Sequence, residues 1–251
     1  MSNQVILAGP GGNYTAFVSG KVQDHIALDR QLRQDNPKIE QTCFIAKNEN
    51  GWHGEMAGGE FCGAAALSFG YLISIWGKHK TAEFTFSGVP RPLSINCVGN
   101  VVSGVLFSEI QCDIRELNDG FLCVALPGIT HLVDRQPEKQ PDMMLFVREL
   151  IARHHLQENP AVGLMRLHQY GQDITVDPWV WVRNIDSLIN ETACISGATA
   201  VGLIEYERRG QTDFTIQIGQ PCGTPTELNY KQTADGLIDV LVRTKIDILN
   251  S

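Results

Sequence analysis

A basic surface is the first thing this chain lacks. Lys and Arg number 20 against 28 Asp and Glu, a formal charge of −8, so the composition argues against nucleic acid or anionic lipid as a partner. No apolar run approaches about 18 uninterrupted residues, which excludes a membrane-spanning helix. Met1-Ser2-Asn3-Gln4 leads straight into an apolar run with no basic leader, so a cytoplasmic protein without membrane contact is expected. The seven cysteines (43, 62, 97, 112, 123, 194, 222) form no Cys-x-x-Cys pair and stand with no histidine at zinc-finger spacing. Reduced thiols and no metal site follow. Gly9-Pro10-Gly11-Gly12-Asn13 lacks both the Gly-Lys-Ser/Thr of a phosphate loop and the spacing of a dinucleotide fingerprint, and the residues behind it are β-prone.

What is present is a repeated cysteine segment. In Gly58-Gly59-Glu60-Phe61-Cys62-Gly63-Ala64-Ala65-Ala66-Leu67 a thiol precedes a run of small residues that turns apolar. Glu191-Thr192-Ala193-Cys194-Ile195-Ser196-Gly197-Ala198 repeats the plan, with Gly70 and Gly202 at the same distance behind each cysteine. Each thiol reads as the start of a buried central helix, the first over about 62–76.

The surrounding pattern repeats as well. Residues 4–8 and 14–18 read as strands, 20–35 as a surface helix, 42–46 as a short strand, and 83–88, 93–97 and 101–107 as an antiparallel meander. Asn118-Asp119-Gly120 is a hairpin signal, after which 121–126 and 130–133 repeat the opening strands. Residues 141–155 form a helix that turns Met144, Leu145, Val147 and Leu150 to the core. Strands follow at 162–165 and 180–182, Asp213-Phe214-Thr215-Ile216 matches Glu83-Phe84-Thr85-Phe86, and 237–248 closes the chain as strand. The expected architecture is α/β (α+β), with two pseudo-twofold-related domains, each of antiparallel strands wrapped round a central helix. Residues 1–117 form the first, joined by the last strand at about 241–251, and 118–240 form the second.

Two helix starts facing one cleft offer unpaired N–H groups and partial positive charge, a clamp for a carboxylate. The small residues behind each cysteine admit a ligand to the backbone, and the helix fields are expected to favour thiolate. One thiolate and one thiol on opposite faces of a carbon atom are what inversion of a stereocentre needs. Cys62 and Cys194 are therefore the expected catalytic pair, while Cys43, Cys97, Cys112 and Cys123 read as core residues and Cys222 as a turn bystander.

At these residues the chain resembles the diaminopimelate epimerase and proline racemase superfamily of cofactor-independent amino-acid racemases. The likeness rests on Gly12-Asn13, Cys62-Gly63, Gly128 to His131, and Glu191 to Gly197. Met56 to Gly63, Ile185 to Ile189, Phe214-Thr215 and Gln220-Pro221 make it most similar to the histidine racemases that feed metallophore biosynthesis. The resemblance implies a diaminopimelate-epimerase-like fold and two-base proton transfer on a free amino acid, histidine being favoured, without pyridoxal phosphate, other cofactor or metal. It also implies substrate contacts from Asn13, Glu60, Gly63, Ala64, His131, Glu191, Ile195, Ser196 and Gly197. Glu60 and Glu191 can each read the substrate or cap a helix, Asn13 can serve ligand or turn, and His131 backbone or substrate. Ala64 and Ile195 depart from the superfamily's Cys-Gly-Asn and Cys-Gly-Ser/Thr, so side-chain identity there bears on substrate choice. The Glu-Arg-Gly of diaminopimelate epimerases is replaced by Arg183-Asn184-Ile185-Asp186. Alternatives are a racemase of another amino acid, or a non-catalytic amino-acid-binding protein of the same fold; a homodimer is left open.

Overall fold

The computed structural model describes residues 4–170 and 173–249. Its elements run in two matching series. The first is β1 (Gln4–Gly9), β2 (Tyr14–Ser19), α1 (His25–Asp35), β3 (Ile39–Asn48), β4 (Gly51–Met56), α2 (Gly63–Gly77), β5 (Thr81–Phe86), β6 (Leu93–Val98), β7 (Val101–Ile110) and β8 (Ile114–Glu116). The second is β9 (Leu122–Leu126), β10 (Ile129–Asp134), α3 (Met143–Arg153), β11 (Ala161–Tyr170), β12 (Asp173–Val182), β13 (Ser187–Asn190), α4 (Ile195–Arg209), β14 (Asp213–Gly219), β15 (Thr226–Gln232), β16 (Ile238–Lys245) and β17 (Asp247–Leu249).

Pairing is matched too. A surface helix links the parallel neighbours β2 and β3, as another links β10 and β11. The central helix links the parallel neighbours β4 and β5, as its counterpart links β12 and β14. Each series then closes in an antiparallel meander, β5-β6-β7 and β14-β15-β16. The series are stitched together where β16 pairs with β7 and β17 with β1.

Both central helices are buried over their first two turns and more because the residues there are small or apolar, or are hydroxyls bonded back to the helix, as Ser68 and Thr199 are; the last turn of α4 is charged and exposed. Helix α2 buries Gly63 through Gly70 without a break, and α4 buries Ile195 through Leu203. The matched glycines do the same job in each: a Cβ on Gly70 would strike Ile95 of β6, and one on Gly202 would strike Tyr230 of β15. Small residues thus let a large strand side chain reach the helix axis, and both Ile95 and Tyr230 are fully buried.

Four strands, β4, β8, β13 and β15, went unseen in the sequence pattern. Gly51 and Gly54 dilute the β signal of β4, and Gly54 is small because Phe86 packs over it. Helix α3 buries Val147, Leu150 and Ile151, but Met144 and Leu145 are exposed, contrary to expectation. The stripe that meets β10, β11 and Trp181 is set by Val147, Leu150 and Ile151; Leu145 falls on the opposite face, and Met144, though in line with Ile151, lies in the first turn of the helix and is exposed there. Helix α1 is stranger still, for the residue it buries is Asp29. Among the described residues no helix is long and apolar enough to cross a membrane.

Candidate active site

Cys62 and Cys194 both occupy N-cap positions with extended backbone, one residue before their helices. The two helix starts meet: a Cβ on Gly63 would fall 2.9 Å from Cγ2 of Ile195. Gly63 is therefore the space that Ile195 fills. Both thiols line one small cavity of about 30 Å³, together with Gln41, Glu60, Ala64, Val180, Glu191 and Ser196. Ligand pockets run to about 300 Å³ or more, so this one must widen to admit an amino acid. A larger open depression of about 660 Å³, lined by Asp119, Arg135 and Phe146 among others, contains no cysteine.

Each cysteine is positioned by a glutamine. Cys62 Sγ donates to Gln41 Oε1 at 3.2 Å and accepts from the Ala65 N–H at 3.4 Å. At Cys194 the glutamine grips the backbone: the Cys194 N–H donates to Gln220 Oε1 at 3.0 Å, and Gln220 Nε2 donates to the Cys194 carbonyl at 3.4 Å. The Cys194 thiol lies 3.6 Å from Ser196 Oγ.

The segment leading to Cys194 hangs on the first half of the chain. Glu40 accepts from the N–H and hydroxyl of Thr192. Asn13 Nδ2 donates to the Ala193 carbonyl at 2.9 Å and to Glu40 Oε2 at 2.6 Å, while its Oδ1 accepts from Gln41 at 3.2 Å. The reverse strut is Asn184, which donates to the Gly58 carbonyl at 2.7 Å. Each half thus holds the approach to the other half's cysteine.

Titration departs from the expectation of thiolates. Burial pushes the Cys62 thiol up, followed by the repulsion of Glu191, and the same two causes in the same order raise Cys194. Desolvation outweighs the helix-start field. The carboxyls rise as well: Glu60 to about 7 through burial, and Glu191 to about 8 through burial and then the neighbouring Glu40. At neutral pH burial therefore favours the protonated form of both thiols and of Glu191, with Glu60 close to half-ionised.

Over residues 4–251 the chain matches the family described as the histidine racemase CntK N-terminal domain. It belongs to this histidine racemase family. Within reach of the family are the histidine racemase of Fusobacterium nucleatum subsp. nucleatum, 24% identical over 266 residues that take in 97% of this chain and 96% of that one. The histidine racemase of Staphylococcus aureus is 26% identical over 251 residues, 89% of this chain and 88% of its own. Among solved structures, a phenazine biosynthesis PhzC/PhzF-type protein from Clostridium difficile superposes with a TM-score of 0.62 at 13% identity, covering 99% of this chain and 98% of the other. A probable proline racemase from Agrobacterium radiobacter gives 0.59 at 9% identity over 100% and 93%. These likenesses establish the diaminopimelate-epimerase-like fold.

Of the residues singled out in this histidine racemase family chain, Cys62, Cys194, Glu60, Gly63, Ala64, Glu191, Ile195 and Ser196 line the thiol cavity. Gly197 stands one position behind, where a side chain would run into Met165. Asn13 is turned to the Ala193 strut and does not line the cavity. His131 is fully buried without a hydrogen-bond partner on either nitrogen, held neutral by burial that lowers it to about 3, so it neither lines this cavity nor bonds backbone. Its ring packs on Gly163 of the neighbouring strand. His154 bonds Asp119 at 2.9 Å and is partly buried. All seven cysteines are free; Cys43, Cys97 and Cys123 are buried and Cys112 partly so. Among the described residues no group of three or more metal-binding side chains occurs. Glu40 and Gln41 lie at the start of β3 and Gln220 just past β14; no local pattern gives any of them a role, although Gln220-Pro221 is among the residues that carry the resemblance.

Proposed function

We propose that this chain interconverts L- and D-histidine by proton transfer between two thiols. The observation that carries the reading is that Cys62 and Cys194, N-caps of matched helices, line one cavity. We read residues 1–117 with the last strand, and 118–240, as the two domains whose parting admits a free amino acid in the cytoplasm. The substrate carboxylate takes the N–H groups of the two helix starts at Gly63-Ala64 and Ile195-Ser196, and its ammonium faces Glu60 and Glu191. One thiol, its proton released to solvent as that positive charge enters, abstracts the α-hydrogen and becomes a thiol again; the other donates its proton to the opposite face and is left as the thiolate. The cysteines exchange roles for the reverse direction, so no net proton is consumed. Negative charge that builds on the carboxylate in the transition state is met by the helix starts, a contribution of the oxyanion-hole kind. Asn13, His131 and Gly197 support this geometry from behind.

The relatives called histidine racemase support histidine over other amino acids. Incubating the full chain with L-histidine in D₂O tests the reading: the α-proton signal should vanish in NMR as D-histidine appears. Binding without exchange would identify an amino-acid-binding protein instead, and exchange of another amino acid in preference to histidine would reassign the substrate.

A further inference from the structure

Beside the thiol cavity lies a second, of about 20 Å³, which shares Gln41, Glu60, Val180, Val182 and Glu191 with it. Its own walls come from α1, β3, β12 and β13, so it too lies where the two series meet. Its lining is unusual in what it leaves unpaired. Asp29 Oδ1, Thr42 Oγ1 and Glu60 Oε2 all lack a hydrogen-bond partner, and all three residues line this cavity. They are 1%, 0% and 6% exposed, so water does not replace the missing partners at the surface.

Buried polar atoms without partners are rare because each carries an unrecovered desolvation cost, and two carboxyl oxygens and a hydroxyl around one space call for a polar partner that arrives from outside. The local architecture holds them there. Asp29 is fixed by its other oxygen, which accepts from Arg33 at 2.7 and 3.0 Å. Glu60 Oε2 stands where a Cβ on residue 58 would come within 2.5 Å, so Gly58 keeps the place open. The remaining walls include Ala57, Ile185 and Ile189, flat apolar surfaces.

We propose that this second cavity is the side-chain subsite of the substrate, built for a planar ring bearing N–H donors, with Asp29 and Thr42 as specificity-determining residues beside Glu60. The inference rests on the racemase reading above. As the halves part, the ring lies between the apolar walls, and its two nitrogens pair with Asp29 Oδ1 and Thr42 Oγ1, while Glu60 faces the ammonium and the α-carbon stays between the thiols. A side chain without donors would leave those oxygens buried and unpaired, which is how the site rejects it.

Steady-state racemisation by the full chain tests this, with L-histidine as substrate and L-alanine, which has the carboxylate and ammonium but no ring, as competitor. Thr42→Val should raise the KM for histidine about fivefold or more with kcat within twofold, leave the inhibition constant of alanine unchanged, and keep or raise Tm, because it deletes an unpaired buried hydroxyl. Asp29→Asn should raise KM about tenfold or more with the same selectivity; should it fail to fold, Thr42→Val carries the test. An unchanged histidine KM in folded Thr42→Val overturns the subsite while wild-type turnover leaves the racemase reading standing. Equal losses for histidine and alanine also overturn it, since the damage would then lie in the thiol cavity. A wild type that exchanges no amino acid defeats the racemase reading and this inference together.

Discussion

The starts of α2 and α4 are copies in plan and differ in how each thiol is held. At Cys62 the thiol itself is engaged, by Gln41 and by the Ala65 N–H of its own helix. At Cys194 the backbone is engaged by Gln220, and the thiol is left with Ser196 and Glu191. Both partners of Cys62 come from its own half. The segment before Cys194 depends on Asn13 and Glu40 of the other half. The repeated segment supplies two equivalent helix starts, and unlike neighbours make the two thiols chemically distinct. A reaction run in both directions needs only that the two proton affinities be close, not that the sites be identical.

The comparison breaks most directly at the cysteines. Cys62→Ala and Cys194→Ala should each lower kcat for both enantiomers at least about a hundredfold, the low end for removal of a general acid or base. Retained turnover in either variant, followed by circular dichroism, would reduce that helix start to packing. Next in size is the contact between the helix starts. Gly63→Ala forces a Cβ against Ile195 and Leu106 and should cost about 1–3 kcal/mol in urea unfolding. Ile195→Ala in the same chain should recover part of that loss, and strict additivity of the two would show that the starts do not press on each other.

The crossed struts give a finer test. Asn13→Ala strands the Ala193 carbonyl in a buried place and should cost about 1–3 kcal/mol. Asn184→Ala, which frees a part-buried Gly58 carbonyl, should cost less. Equal Tm losses would mean that the two cysteines are supported alike. Smallest is the pH effect on the ligand-free protein. Glu60 and Glu191 bind protons more tightly when folded than at the ordinary 4.5, so their stabilisation is complete below about pH 4.5 and is lost as pH rises through about 7 and about 8. Glu191→Gln should flatten Tm between pH 6 and 9 more than Glu60→Gln does; parallel pH curves for wild type and both variants would contradict the burial of these carboxyls.

Much of the fold was legible because it is written twice. Cys62 and Cys194, the small residues behind them, and Gly70 and Gly202 mark two central helices with a spacing that composition alone would not produce. Strands such as β6 and β7 alternate cleanly and were found. Strand β4 is hidden by Gly51 and Gly54, whereas β15, with its buried Leu228 and Tyr230, alternates as a strand should. Around the thiols, the residues that the sequence names lie mostly on the repeated segments, and it gives no role to those that reach in from β3 and from the end of β14. Gln41, Gln220 and Glu40 stand on strand ends or turns, and they become site residues only because the chain folds back on itself.

The sequence by itself determined the repeat, the two buried helices and the pair of thiols at their N-termini, because small-residue runs, period-two alternation and capping positions are local properties. Only the tertiary structure decided the protonation of those thiols and the second cavity. Both depend on what is brought near: burial that outweighs the helix-start field at Cys62 and Cys194, and an aspartate of a surface helix, a threonine of β3 and a glutamate beside Cys62 that share one small space. Desolvation and convergence are sums over neighbours distant in the chain, and no local pattern records them.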